Sequence, residues 1–298
     1  KTAELLDGTY AETDRLEYDD KGKPHIGYSD AWSVLYGDTD STYFATRASN
    51  EEEAVKIADA VGEAVSASFP EYMQQTFLCG EGFDDIIKTG REIVSDKGIF
   101  VDKKRYFLHI IDNEGEKVDK CKVMGLDTKK TTLPKEVSKV LNGFVERYLK
   151  GESWDTIALE IVAYKEELFN TTDAMSIGLP KGIKKVEFYS REFEKDGKTR
   201  LPGHVAAAIF YNQCLKDYKD IESFEIKSNM KIKVFYLHTT YGRFKSVAIP
   251  VDIEEVPSWF LEHFTINREM HIERLVDNPM NNIIKAIGKK TPSKQSLL

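Results

Sequence analysis

The sequence predicts an α+β protein with two subdomains. Its first part holds short apolar runs separated by turn-forming residues, which read as strands joined in hairpins. Its later part holds longer segments whose apolar residues recur at helical spacing. Strands cluster early and helices alternate later, so the boundary falls near Gly125, giving subdomains 1–125 and 126–298.

Taken in order, residues 19–30 read as a loop, because turn formers dominate and no apolar period shows. Residues 32–36 and 42–46 are short apolar strands, and Gly37-Asp38-Thr39-Asp40-Ser41 between them closes a hairpin. Residues 51–69 form a helix: Ala54, Val55, Ala58, Val61, Ala64 and Val65 share one face, and Asn50 is the N-cap, with acids in the first turn. Residues 99–111 look like one strand, and Asp112-Asn113-Glu114-Gly115 turns into a partner around 118–124. Pro134 opens a strong helix that Gly151 ends, and a second spans about 153–169. Beyond them come a lysine-rich loop at 181–185, a helix near 204–217, strands near 231–238 and 244–250, and helices near 256–264 and 279–288.

Hydrophobic residues make up 41% of the 298 and charged ones 31%, which supplies ample core for a soluble globular protein. No apolar run approaches the ~18 residues of a membrane span, so no membrane partner is expected. There is no secretory signal and no initial Met, as expected of a processed or excised segment. Cys79, Cys121 and Cys214 are far apart and form no C-x-x-C pattern; they read as reduced thiols of a cytoplasmic protein. The net charge of −8 is unevenly spread. Residues 1–83 hold 6 basic and 17 acidic side chains, whereas 97–135 hold 10 basic and 6 acidic ones, and 285–298 four lysines and no acid. An acidic first quarter followed by basic islands suits a metal site followed by a phosphate-binding surface, although charge alone favours ordinary solvated faces.

Tyr36-Gly37-Asp38-Thr39-Asp40-Ser41 is the strongest chemical signal. Two carboxylates one residue apart on a tight hairpin can approach one point, which suits Mg²⁺, a hard cation that takes oxygen ligands and keeps waters or substrate phosphates. Two such ions lower the pKa of an attacking hydroxyl and neutralise a leaving pyrophosphate. Gly37 would allow close backbone approach, and Thr39 and Ser41 can hydrogen-bond within the turn. An isolated D-x-D is ordinarily a solvated turn; the flanking apolar strands are what single this one out. Lys103-Lys104-Arg105-Tyr106 leads into an alternating strand, where a basic cluster can grip phosphates and an aromatic can stack on a sugar or base.

The Y-G-D-T-D-S string resembles the third polymerase motif of family B DNA polymerases, and K-K-R-Y at this separation resembles their primer-holding element. Residues 122–135, with Lys129, Lys130 and Thr131, resemble the palm-to-thumb junction of the T-even-type bacteriophage group, and Leu201-Pro202-Gly203-His204-Val205 a thumb element of it. The resemblance runs from about Trp32 to the tail. It implies late palm over 1–125, an antiparallel sheet with helices, and a mixed, mainly helical thumb over 126–298. Asp38 and Asp40 would then be catalytic and bind Mg²⁺, with Glu92 of Arg91-Glu92 as a third acid. DNA contacts would come from Thr39, Lys103, Lys104, Arg105, Tyr106, Lys129, Lys130, Thr131, Arg200 and His204, with Lys104 and Tyr106 foremost on the primer. Hydroxyls, lysines and helix N-terminal amides are apt phosphate ligands.

A family B enzyme also carries a D-x-x-S-L-Y-P palm motif, whose Asp binds metal, and a fingers helix of the K-x-x-x-N-S-x-Y-G kind that grips the triphosphate; neither string occurs here. The expectation is a C-terminal palm–thumb part, either the C-terminal subunit of a split polymerase or an excised portion of a single chain. The two-ion site would be completed by an Asp outside this chain. Its partners would be primer–template DNA, deoxynucleoside triphosphates and an N-terminal segment with exonuclease, early palm and fingers, in the cytoplasm of the host cell if viral. The tail Lys294-Gln295-Ser296-Leu297-Leu298 resembles the start of a sliding-clamp-binding peptide, without its terminal aromatics. The alternatives are a non-catalytic primer–template-binding module derived from a polymerase, which would not need both acids, and an unrelated metal-dependent nucleotidyltransferase such as a cyclase, which K-K-R-Y argues against.

Overall fold

A computed structural model describes residues 33–293, except 81, 83–85 and 254, together with the backbone of 15–18 and 24–27. Trp32 and Lys294–Leu298 lie outside the described residues. The protein divides into two units, Lys1–Val123 and Met124–Leu298. The α+β class holds: the strands form antiparallel sheets and helices make up most of the second unit.

In the first unit, β1 (Arg15–Tyr18) pairs antiparallel with β2 (Pro24–Gly27). Backbone pairing therefore makes a strand of 24–27, inside the stretch expected to be loop; it needs no apolar alternation to form. The hairpin of β3 (Ser33–Asp38) and β4 (Ser41–Ala45) is tighter than expected, with only Thr39 and Asp40 in the turn. Its register shifts between Val34 and Tyr36, so Leu35 is a bulge. Val34 and Phe44 pack with Ile57 against Val61, Val65 and Phe69 of helix α1 (Glu51–Phe77). Tyr36 and Tyr43 turn instead toward Tyr106, Leu108 and Ile110. A bulge reverses which side the following residues face, and that lets one ribbon serve two layers.

Asn50 caps α1 as expected, its side chain accepting the Glu53 N–H at 2.9 Å. The helix then runs through Pro70 to Phe77, eight residues beyond the expected end. A proline removes one backbone hydrogen bond and crowds the carbonyl four residues back. Burial of Val65 and Phe69 just before it outweighs that cost, and the helix closes only at Leu78, in left-handed conformation (φ 55°).

The expected single strand over 99–111 is two: β5 (Ile93–Asp102) and β6 (Arg105–Asn113), joined at Lys103-Lys104. No glycine or asparagine marks that turn, so the sequence hid it; Lys104 itself takes φ 58°. Glu114-Gly115, both at positive φ, then lead into β7 (Glu116–Met124), and the sheet order is β5–β6–β7. One residue from each strand meets in a row. His109 Nδ1 lies 2.6 Å from Asp96 Oδ1, and its Nε2 2.7 Å from Asp119 Oδ1.

The second unit begins with a 3₁₀ turn (Asp127–Lys129), followed by α2 (Lys135–Leu149) and α3 (Trp154–Asn170). Next come α4 (Ala174–Ile177), β8 (Leu179–Gly182), α5 (Val186–Asp196) and α6 (Gly203–Asp217). The sheet order is β10 (Phe244–Pro250), β9 (Lys231–Tyr241), β8, all antiparallel. The lysine-rich stretch thus begins in a strand, Lys181 pairing with Ile232. Gly178 approaches β9 so closely that a Cβ there would sit 2.5 Å from Phe235 Cζ. The chain closes with α7 (Ser258–His263), α8 (Arg268–Ile272), a π-helical turn (Glu273–Asp277) and α9 (Asn278–Ala286). Among the described residues no helix is long and apolar enough to cross a membrane. No disulfide joins the three cysteines, and burial pushes the Cys214 thiol up to about 12.

His271, fully buried, ties this unit together. Its Nε2 accepts the Tyr236 N–H at 2.9 Å, so its Nδ1 carries the proton and donates to the Ile177 carbonyl at 2.8 Å. Burial holds it neutral, pushing its pKa down to about 4. His109 shifts the other way: its hydrogen bond to Asp119, assisted by Asp96, outweighs desolvation and raises its pKa. Their linkages to pH are therefore opposite. The His271 contribution is complete above the unfolded pKa of about 6.5 and is lost as pH falls toward 4, roughly 3 kcal/mol in all. The His109 contribution is complete below about 6.5 and is lost as pH rises through its raised folded value. Native-state hydrogen exchange should thus show β9 amides losing protection between pH 6.5 and 4 while β6 amides keep theirs. Parallel loss in both would contradict these assignments.

Candidate functional site

The paired carboxylates stand at the tip of the β3–β4 hairpin. Asp40 N–H donates to Asp38 O at 2.6 Å across Thr39, whose φ is 51°. This is a γ-type turn of the rare positive-φ form, here on a β-branched residue, and such conformations cost about 1–3 kcal/mol. Two bonds hold it: Thr39 Oγ1 donates to Asp38 Oδ1 at 3.2 Å, and Ser41 Oγ donates to Asp38 O at 3.3 Å. The close approach expected at Gly37 is not required by this chain. A Cβ there would meet only ordinary contacts, the nearest being Ser41 O at 3.8 Å.

Beneath the tip lies an aromatic floor of Tyr36, Tyr43, Phe100 and Tyr106, with ring centroids 5.4–6.2 Å apart. The Tyr43 and Tyr106 hydroxyls share a 3.2 Å hydrogen bond. Burial, then Tyr106, keeps the Tyr43 phenol protonated by raising its pKa. Tyr106, expected on the primer, is only 6% exposed, so its ring supports the hairpin from below.

The Lys103-Lys104 turn is tied to this tip three ways. Lys104 N–H donates to Tyr36 OH at 3.0 Å, Lys104 Nζ lies 3.3 Å from Asp38 Oδ2, and the Tyr36 ring packs in the same aromatic floor as Tyr106, two residues on. The Asp38 side chain is 27% exposed. Desolvation is the largest single influence on it and pushes its pKa up. Lys104, Thr39 and Tyr36 together outweigh that and leave it below the usual value. Asp40 and Lys103 are exposed, with Lys103 N–H donating to Asp102 Oδ1 at 2.7 Å, and Arg105 is half-buried.

Glu92 is exposed and pairs with Lys122 Nζ at 3.3 Å. Its neighbour Arg91 is largely buried, with Nε 2.7 Å from Asp59 Oδ1 and Nη1 on Asp112 Oδ1. Among the described residues no three His, Cys, Asp or Glu side chains converge as a metal centre. Asp38 and Asp40 alone offer two hard oxygen donors on a fixed turn, a set that fits Mg²⁺ sharing its remaining positions with waters and other ligands.

In the second unit, Thr128 is fully buried: its Oγ1 donates to Asn142 Oδ1 at 2.9 Å, and its carbonyl accepts from Ser138 Oγ at 2.6 Å. That network fixes the 3₁₀ turn on α2 and leaves Lys129, Lys130 and Thr131 exposed, Lys130 pairing with Asp127. A groove of about 460 Å³ runs past Lys129, Lys135, Ser138, Lys139, Asn142 and Glu146. Lys135 ends the 122–135 stretch singled out in the sequence, but Lys139 was not anticipated, although two lysines four apart on a helix entered by a lysine-rich loop were the available signal. Arg200 is exposed. His204, near the start of α6, has its pKa lowered by burial and then by Lys181, which identifies Lys181 as a further basic neighbour.

A strained carboxylate turn paired with a basic turn on a neighbouring antiparallel sheet brings hard oxygen donors and a cation to one point. The chain belongs to DNA polymerase family B, whose family profile matches residues 2–198. It is also 27% identical over 236 residues to the DNA-directed DNA polymerase of Escherichia phage RB69, a match covering 68% of this chain and 24% of that protein. The chain thus spans about a quarter of the length of this relative.

Proposed function

We propose that this chain supplies the later palm and the thumb of a DNA-directed DNA polymerase, residues 1–125 and 126–298. The observation that carries the reading is the Asp38-Thr39-Asp40 turn held to Lys104, whose ammonium pairs with Asp38 and whose N–H is held by Tyr36. Asp38 and Asp40 hold Mg²⁺, with Glu92 as a third acid once released from Lys122. The bound ions supply charge neutralisation and a more acidic hydroxyl. Lys104, with Lys103 and Arg105 beside it, holds the primer end, and Thr39 at the tip lies against it. The primer 3′-oxygen attacks the α-phosphorus of a deoxynucleoside triphosphate, its proton leaves to solvent, and the bond to pyrophosphate breaks. Lys129, Lys130 and Thr131, extended by Lys135 and Lys139, contact the backbone of the duplex; Arg200 and His204 contact it farther along.

The missing metal-binding Asp and the triphosphate-gripping helix come from a segment carrying early palm and fingers. Primer extension with Mg²⁺ and all four deoxynucleotides tests this. A mixture of this chain with a family B segment bearing the D-x-x-S-L-Y-P motif should extend the primer, and the chain alone should not. Extension by the chain alone removes the need for a second segment. Binding without extension in every mixture favours a non-catalytic primer–template module.

Removing one lysine from a duplex phosphate should reduce the slope of log K against log salt by about 0.9. Lys135→Ala and Lys139→Ala should each weaken duplex binding equally for any sequence and flatten that slope by about one. An unchanged slope in both removes the groove from the interface.

A further inference from the structure

Lys104 occupies two roles that compete. Its ammonium sits 3.3 Å from Asp38 Oδ2, on the carboxylate offered to the metal, and it is the cation offered to the primer phosphate. We infer that Lys104 is a latch through which divalent-cation binding at Asp38 and primer–template binding reinforce each other. The inference rests on the polymerase reading of this site.

The geometry separates what moves from what stays. The Lys104 main chain is fixed, since its N–H is held by Tyr36 OH at 3.0 Å and its φ of 58° sets the turn. The side chain is free to swing: it is 62% exposed, on a flexible four-carbon stem. A divalent cation bound to Asp38 places like charge beside the ammonium and removes its partner. The ammonium is then driven off a carboxylate it already holds loosely, while the turn that carries it stays beside the hairpin tip. A primer phosphate arriving at that turn pulls in the same direction, and by taking the ammonium it leaves Asp38 open to the cation. Coupling between two binding events is reciprocal, so each raises the affinity of the other by the same factor. An exposed ion pair of this kind sets that factor at about two- to fivefold.

The test is fluorescence anisotropy of a labelled primer–template with the whole chain, no nucleotide present, at matched ionic strength with and without Mg²⁺. Mg²⁺ also competes for DNA phosphates, so its effect is compared between variants. Relative to Lys104→Gln, the unaltered chain should gain about two- to fivefold in affinity when Mg²⁺ is added. Asp38→Asn should bind DNA more tightly than the unaltered chain without Mg²⁺ and show no such gain. A second reading, free of DNA, is Mn²⁺ binding followed by electron paramagnetic resonance, where Lys104→Gln should bind the ion more tightly by the same factor. If the Mg²⁺ gain persists in Lys104→Gln, the cation bridges protein and phosphate directly and the latch is overturned. Equal Mn²⁺ affinity in the two proteins overturns it as well. If no form binds primer–template, the polymerase reading fails and the latch with it, an outcome distinct from binding without coupling.

Discussion

In a primer-extending mixture, Asp40→Asn should lower single-turnover nucleotide addition by roughly three orders of magnitude or more. Metal-borne neutralisation of transition-state charge amounts to several kcal/mol, and each 1.4 kcal/mol is about tenfold in rate. Asparagine keeps the size and leaves the Asp40 N–H to Asp38 O bond intact, so the turn survives and only the anionic ligand is lost. Primer–template affinity should change by no more than about fivefold, the most that cation coupling supplies, because base and phosphate contacts lie on other residues. A rate loss below tenfold would remove Asp40 from the metal site. A matching loss of DNA affinity would mean that the turn had collapsed instead.

Arg91→Ala should destabilise the first unit by about 3–5 kcal/mol, the usual cost of leaving one member of a buried ion pair uncompensated. Arg91 reaches Asp59 on α1 and Asp112 on β6, and the same Asp112 carboxylate accepts the Gly115 N–H at 3.1 Å at the next turn. Asp112 is 4% exposed, so its charge has no recourse to water. Asp59 is about half exposed, and Asp59→Ala should cost under about 1 kcal/mol. Urea unfolding read by hydrogen exchange in the β5–β7 sheet distinguishes them. Replacing Arg91 and Asp112 together by leucine should recover most of the loss. Equal costs for Asp59→Ala and Arg91→Ala would show that the buried charge is not the source.

Arg91 also marks where the sequence stopped being legible. Arg91-Glu92 drew notice for its acid, yet the basic neighbour is what holds the unit together, because the distinction depends on burial, which two adjacent symbols do not carry. The Asp38-Thr39-Asp40 hairpin was readable because its apolar flanks and turn string are local. Its lock was not: Lys104 and Tyr36 lie 68 positions apart, and only the fold of β5 and β6 brings them together. The same sheet hid the Asp96–His109–Asp119 row, one residue from each of three strands. Helices α2 and α3 were clear because caps and apolar faces agreed. Helix α5 was missed because its valine, serine and aromatic residues are weak helix formers and only Val186 is buried, so no apolar face stands out.

The bulge at Leu35 separates two properties of the hairpin. All five cross-strand pairs, from Ser33–Ala45 to Asp38–Ser41, form without Leu35. It adds nothing to the count of pairings and is 55% exposed, so the adhesion of the ribbon does not depend on it. What it supplies is orientation, since the extra residue bends one strand and deepens its twist on the way to the tip. Cohesion and aim are therefore written in different residues. Losing that one residue would keep the pairings yet turn Tyr36 and the tip to the other side of the ribbon.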